Sequence, residues 1–236
     1  MAFLAAFCVG FSKTGFSGVS LLAVYWFTIA YGGRSQVGLA LPLLIFADVC
    51  VYHGFRKHGS WRAVLPLLPP TLVGILGGAF LLSKLDDDIA TPIIGSLILL
   101  LCLFILVQRY RPHWFARLTH SQTFTIGMGG LGGLTTTLAN AAGPIISLYL
   151  LARNVPKLEL LGLGARFFLL VNLIKIPFFA GQGLITPATL THNLILAPAC
   201  LLGVLCGRAL IHKIPQKLFT NLVWIFALLA GLRLLL

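Results

Sequence analysis

Acidic side chains are scarce in this chain: Asp and Glu together number five in 236 residues, against 17 Lys and Arg. Charged residues of either sign make up only 9%, where a soluble domain carries about 25%. So thin a polar inventory cannot cover a water-exposed surface, which excludes a separate soluble catalytic domain. Catalytic signatures are missing too. There is no H-E-x-x-H, no G-x-S-x-G and no phosphate-binding P-loop, and the six histidines are scattered, mostly at the ends of apolar segments. The five cysteines (Cys8, Cys50, Cys102, Cys200 and Cys206) lie inside apolar runs without a C-x-x-C or Cys/His cluster. They read as small buried hydrophobes, and no metal or cofactor is expected. A basic n-region is absent from the N-terminus, and its pattern recurs at mid-chain, so a cleaved signal peptide is not expected there.

What is present is hydrocarbon. Hydrophobic residues reach 58% and mean hydropathy is +0.99. Runs such as "TPIIGSLILLLCLFILVQRY" are long enough to cross an apolar layer of about 30 Å. The chain therefore reads as an all-α polytopic membrane protein in contact with lipid. Its net charge of +12 lies mainly in short loops between apolar segments. That is the distribution that sets membrane orientation rather than one that binds nucleic acid.

The apolar segments fall at 1–31 (broken at 10–18), 37–54, 62–83 and 89–108, then at 121–152 (broken near 139–145), 159–180, 191–211 and 217–236. The same four-part plan occurs twice, which divides the chain into repeats at 1–118 and 119–236 that form one integrated unit. Gly15 and Gly18 match Asn140 and Gly143 at a spacing of 125, and Asp48 matches Asn172 at 124. Gly74, Gly78 and Lys84 match Gly203, Gly207 and Lys213 at 129. Matches in one order across three segments point to a duplication.

Charge counting tests the topology. If all eight segments cross, the loop cations divide seven against seven and specify no orientation. If the first segment of each repeat dips in and returns, one face collects Arg56, Lys57, Arg62, Arg109, Arg111, Arg117, Arg153, Lys157, Arg208, Lys213 and Lys217. The other keeps Arg34, Lys84 and Arg233, with Asp86, Asp87 and Asp88 beside the lysine. Eleven against three is a strong positive-inside bias. Each repeat is then a re-entrant broken-helix hairpin plus three transmembrane helices. Three crossings being odd, the second repeat is inverted, an architecture of transporters whose substrate site lies where the breaks meet. Both termini fall on the periplasmic side.

The break "GFSKTGFSG" (Gly10 to Gly18) offers Ser12, Lys13, Thr14, Gly15, Ser17 and Gly18; its counterpart "TTTLANAAGP" offers Thr135, Thr136, Thr137, Asn140 and Gly143. Irregular backbone at membrane depth survives only when buried in protein or lining a polar cavity. Each break would present a half-helix N-terminus, which suits an anion. Lys13 is a substrate contact on this reading; the alternative is that it snorkels or satisfies carbonyls of the break. Asn172 and Lys175, three residues apart, are candidates to line the route. Arg166 lies seven residues after Glu159 and reads as its ion-pair partner. Asp48 is the one carboxylate inside an apolar segment and a candidate proton carrier, with pairing to a neighbouring cation or an interfacial place near His53 as the alternatives.

The stretches "TLANAAGPIISLYLLARNVPK" and "ARFFLLVNLIKIPFFAGQGLI", between Thr137 and Ile185, resemble the sulfite exporter TauE/SafE family of bacterial membrane transporters, and the likeness extends over nearly the whole chain. The resemblance implies inner-membrane transport of a small sulfur-containing anion such as sulfite or a sulfonate. Many members carry a denser glycine cluster followed by Val-Pro in the first half; here a lysine stands in "GFSKTGFSGVSLL" and no proline follows. The function expected is secondary transport of such an anion by alternating access, in the export direction. A passive anion channel of the same fold and an intramembrane enzyme are the alternatives.

Cysteine-accessibility labelling in intact cells checks the orientation. Single cysteines placed in 109–120 and in 153–157 should both be shielded from an impermeant reagent outside and both react from the cytoplasm. Labelling on opposite sides contradicts the re-entrant arrangement.

Overall fold

The computed structural model describes residues 1–110, 121–153, 155–210 and 216–235, and all its regular structure is helical. The order is α1 (Ala2–Ser12), α2 (Val19–Tyr31), α3 (Ser35–Phe55), α4 (Trp61–Val64), a 3-10 turn (Leu65–Leu67), α5 (Leu68–Ser83) and α6 (Asp87–Tyr110). The second half runs α7 (Gln122–Ala139), α8 (Gly143–Ala152), α9 (Lys157–Gly181), α10 (Pro187–Leu210) and α11 (Gln216–Leu235). Among the described residues five stretches are long and apolar enough to cross a membrane: α3, Trp61–Ser83, Asp87–Val107, Leu158–Gly181 and α10. In the second of these, Pro66, Pro69 and Pro70 remove backbone donors, and a tight 3-10 turn joins α4 to α5. Large apolar side chains point outward along the spans, among them Val73, Phe80, Leu100 and Leu194, as a lipid-facing surface requires. More than half of the α3 span is buried but only a third of α6 and of α10, so α3 is the central helix.

α1 and α2 have 11 and 13 residues, roughly 16 and 20 Å of helix, and they pack against each other as a hairpin. The connection turns at Gly15, whose φ of 108° no residue with a side chain adopts readily. In the second half the turn falls on Asn140, at φ 54°. Its N–H closes the end of α7 onto the Thr136 carbonyl, a left-handed cap for which Asn is the usual substitute for Gly. Gly15 and Asn140 are partners in the repeat, so the matched positions carry the same unusual backbone. Gly18 and Gly143, the next matched pair, both stand where the helix resumes.

The helix pairings persist when the halves are exchanged. α1 packs on α10, and its counterpart α7 packs on α5; α3 pairs with α9, and α6 with α11. The close approaches rest on glycine. A Cβ on Gly203 would collide with the Phe7 carbonyl of α1, and one on Gly10 with the Cys200 carbonyl of α10. In the other half a Cβ on Gly74 would collide with the Gly130 carbonyl of α7, and one on Gly133 with the Thr71 carbonyl of α5. Gly74 and Gly203, matched in sequence, thus let the same hairpin arm seat on the same partner in each half, the small-residue packing of membrane helices.

Three expectations change. The first break is shorter than 10–18, because α1 continues through Ser12 and Gly10 belongs to the helix contact. The second break spans only Asn140 to Ala142, and its leading arm α7 is 18 residues long, so the hairpins are unequal. Arg166 does not pair with Glu159. It donates instead to the carbonyls of Arg56, His58 and Gly162 at 2.6–2.8 Å, tying α9 to the turn after α3. That turn exposes carbonyls with no helical partner, and a guanidinium satisfies several at once. The repeat boundary at 118/119, with Arg111, Arg117 and Lys213, lies outside the described residues.

Gly203→Ala should lower stability by about 1–3 kcal/mol, the usual effect of overpacking, whereas Gly77→Ala, whose Cβ meets nothing within 4 Å, should leave it unchanged. Thermal unfolding of the purified protein in detergent checks the contrast.

Candidate functional site

The two breaks meet. Ser12, Lys13, Gly15 and Ser17 from the first and Thr136, Asn140 and Gly143 from the second line one cavity of about 60 Å³, together with Asp48 of α3 and Asn172 of α9. This is room for a few water molecules. Ser20, in the first turn of α2, and Ser147, in the second turn of α8, complete the polar wall; Leu44, Leu160, Leu161, Ala165 and Phe168 form the apolar one. Both resumed helices therefore bring their N-terminal ends to the same space, although the opening N–H groups of α2 are taken by the Phe16, Ser17 and Gly18 carbonyls and that of Ile146 in α8 by Ala142.

Lys13 is the cation of this cavity. Its Nζ lies 2.8 Å from Asp48 Oδ1 and 4.2 Å above the centre of the Phe168 ring. The lysine side chain retains 10% exposure and the carboxylate only 1%. Asn172 Nδ2 donates to the other carboxylate oxygen at 2.7 Å, leaving Asn172 Oδ1 without a hydrogen-bond partner. Asp48 and Asn172 are matched in the repeat and touch each other, so they lie at the junction where the halves meet. The arrangement explains how a charge pair persists in an apolar layer: every strong acceptor of the carboxylate is engaged, and the pair is neutral overall.

A second buried lysine stands behind the wall. Lys175 is fully buried and does not border the cavity. Its Nζ donates to Thr136 O at 3.0 Å, Thr136 Oγ1 at 3.1 Å and Asn140 Oδ1 at 2.7 Å. Asn140 Nδ2 in turn donates to the Val37 carbonyl of α3 at 3.0 Å. One residue thus caps α7 with its backbone N–H and, with its side chain, holds Lys175 and latches the second break onto α3. Thr14 and Gly18 also stay out of the cavity; Thr14 is buried, with its hydroxyl returned to the Phe11 carbonyl at 2.7 Å. Of the residues singled out from the sequence, Lys13, Gly15, Ser17, Asp48, Thr136, Asn140, Gly143 and Asn172 come together around the cavity. Thr14, Gly18 and Lys175 do not.

Sequence reasoning missed Ser20, Ser147 and Phe168. A hydroxyl within the first two turns of each resumed helix was a usable signal for the serines. Phe168 carried none, being one aromatic within an apolar run.

Among the described residues no cluster of His, Cys, Asp or Glu could hold a metal ion, and the cavity chemistry is that of hydroxyls, amides and one ion pair. These groups can bind and release a small polar or charged solute.

Comparison with known proteins gives the same direction. Residues 2–234 match the model of the family described as sulfite exporter TauE/SafE. The chain is also similar to a protein of Comamonas testosteroni named "Probable inner membrane transporter protein TsaS", with 27% identity over 214 residues, covering 87% of this chain and 85% of the relative. No solved structure matches. The chain belongs to the sulfite exporter TauE/SafE family and is a multi-pass membrane transporter, not an enzyme.

Proposed function

We propose that the protein is a secondary transporter of the bacterial inner membrane that exports a small sulfur-containing anion, sulfite or a short sulfonate, by alternating access. The convergence of both helix breaks and the Lys13–Asp48 pair on one cavity carries this reading. Two lysines stand near a single carboxylate there, so an arriving anion supplies the missing negative charge. The N-terminal ends of α2 and α8 add the favourable ends of their dipoles. Lys13 contacts the anion, Ser17, Thr136, Asn140 and Asn172 orient it, and Lys175 holds the second break in shape from behind.

The cavity lies between the C-terminal half of α3 and the N-terminal half of α9, the ends that lead to Arg56, Lys57 and Arg153. By the positive-inside rule these ends are cytoplasmic, which makes this an inward-facing arrangement with both termini outside and the second repeat inverted. The exchange-preserving helix pairings support such a duplication, and rocking of one repeat against the other supplies the alternate state.

Asp48 is the switch in this scheme. Lys13 can serve either the carboxylate or the anion. When the anion takes Lys13, Asp48 loses its counter-charge in a water-poor site and becomes the group that accepts a proton.

Counterflow of ³⁵S-labelled sulfite, thiosulfate and taurine in proteoliposomes tests these roles together. The wild type should show saturable uptake of at least one anion, and Lys13→Ala should reduce it at least tenfold, as expected for losing a charged contact worth about 1.5–3 kcal/mol. Asp48→Asn should preserve saturable counterflow while abolishing acceleration by a pH gradient. Absence of flux with every anion, or linear flux indifferent to gradients, contradicts the carrier mechanism.

A further inference from the structure

Gln36 has no exposed surface, and neither its Nε2 nor its Oε1 finds a hydrogen-bond partner. A buried amide with both ends unmatched is among the costliest arrangements in a folded protein, and each such group calls for an explanation. Its position supplies one. Gln36 lies in a small pocket of about 10 Å³ whose other polar lining residues are Ser12, Ser20 and Asn140. The same three residues, with Leu44, also line the Lys13–Asp48 cavity. They therefore form a neck with the main cavity on one side and Gln36 on the other.

α3 makes the connection continuous. Gln36, Ala40 and Leu44 line the small pocket, and Leu44 and Asp48 line the main cavity. These residues follow one another at intervals of four, a single winding ridge of the helix. From Asp48 to Gln36 the ridge rises about 18 Å, toward the end of α3 opposite the basic face. Asn140 closes the neck by donating to the Val37 carbonyl, the residue beside Gln36.

We propose that Gln36 is a second anion-binding residue, the ligand that receives the substrate on the far side of the neck, with its amide N–H group donating to an anionic oxygen. This inference rests on the transport reading above. Its chemistry fits an oxyanion and not a cation: the pocket brings an amide and hydroxyls but no carboxylate. The inward-facing form keeps the amide dry and unmatched, and passage of the anion through the neck satisfies it. The orphaned amide is thus a ligand held in reserve for the opposite state.

Gln36→Met, close in volume and without polar atoms, separates a ligand from a structural residue. Removing an unmatched buried amide leaves the melting temperature in detergent unchanged or higher. In ³⁵S-sulfite counterflow the half-saturating concentration should rise about tenfold when sulfite is offered from the side opposite the Asp48 cavity, with a smaller change from the other side. Gln36→Glu, which places a carboxylate where the anion must pass, should weaken uptake further. A Gln36→Met protein with wild-type half-saturation from both sides, or one that loses its fold, overturns the proposal while wild-type flux stands. A wild type that carries no sulfite overturns the transport reading and the Gln36 assignment together.

Discussion

A lysine ammonium at membrane depth must be held by a counter-charge and by dipoles that replace water, and the placement of Lys13 organises much of this molecule. Asp48 supplies the charge from α3, the most enclosed of the candidate membrane spans. Asn172 of α9 occupies the second carboxylate oxygen, which fixes α9 against α3. The break that carries Lys13 can sit beside Asp48 only because α1 seats tightly on α10 through Gly10 and Gly203. Neutralising the pair completely would leave nothing to recruit an anion. The lysine keeps a sliver of exposure on a cavity, and the proposed transport role rests on that residual access.

The two halves correspond in frame but not in the chemistry placed on it. Gly15 and Asn140 adopt the left-handed backbone at equivalent breaks, and Gly74 and Gly203 admit equivalent hairpin arms. The lysines break the equivalence. Lys13 belongs to a break and reaches a transmembrane helix, whereas Lys175 belongs to a transmembrane helix and reaches a break. One faces the cavity and the other braces its wall. The matched pair Asp48 and Asn172 has diverged into a charged and a neutral partner that touch each other at the junction. Two carboxylates at these positions would repel each other, whereas an amide beside a carboxylate donates to it.

The membrane class, the helix count per half and the two breaks were legible in the sequence, because they depend on hydropathy, segment length and glycine placement. The matched positions were legible for the same reason: Gly15, Asn140, Gly74 and Gly203 each answer a backbone demand that few residues meet. Side-chain direction was not. Lys175 and Asn172 share a helix face by spacing, yet one turns behind the wall and the other borders the cavity, a distinction set by how α7 ends at Asn140. Arg166 appeared paired with Glu159 by periodicity, but the open carbonyls after α3, 108 and 110 residues away in sequence, claimed it. Gln36 gave no signal at all, since a glutamine near the start of an apolar segment resembles any interfacial residue until its burial is known.

The account makes the meeting point of the two breaks an anion site centred on Lys13. A crystal structure of the protein soaked with selenite, the heavier analogue of sulfite, tests that claim by the position of the selenium anomalous signal. The account predicts one peak in the cavity, with selenite oxygens within hydrogen-bond distance of Lys13 Nζ and of the break between Asn140 and Gly143. Selenite bound elsewhere, with the Lys13–Asp48 pair undisturbed, would contradict it.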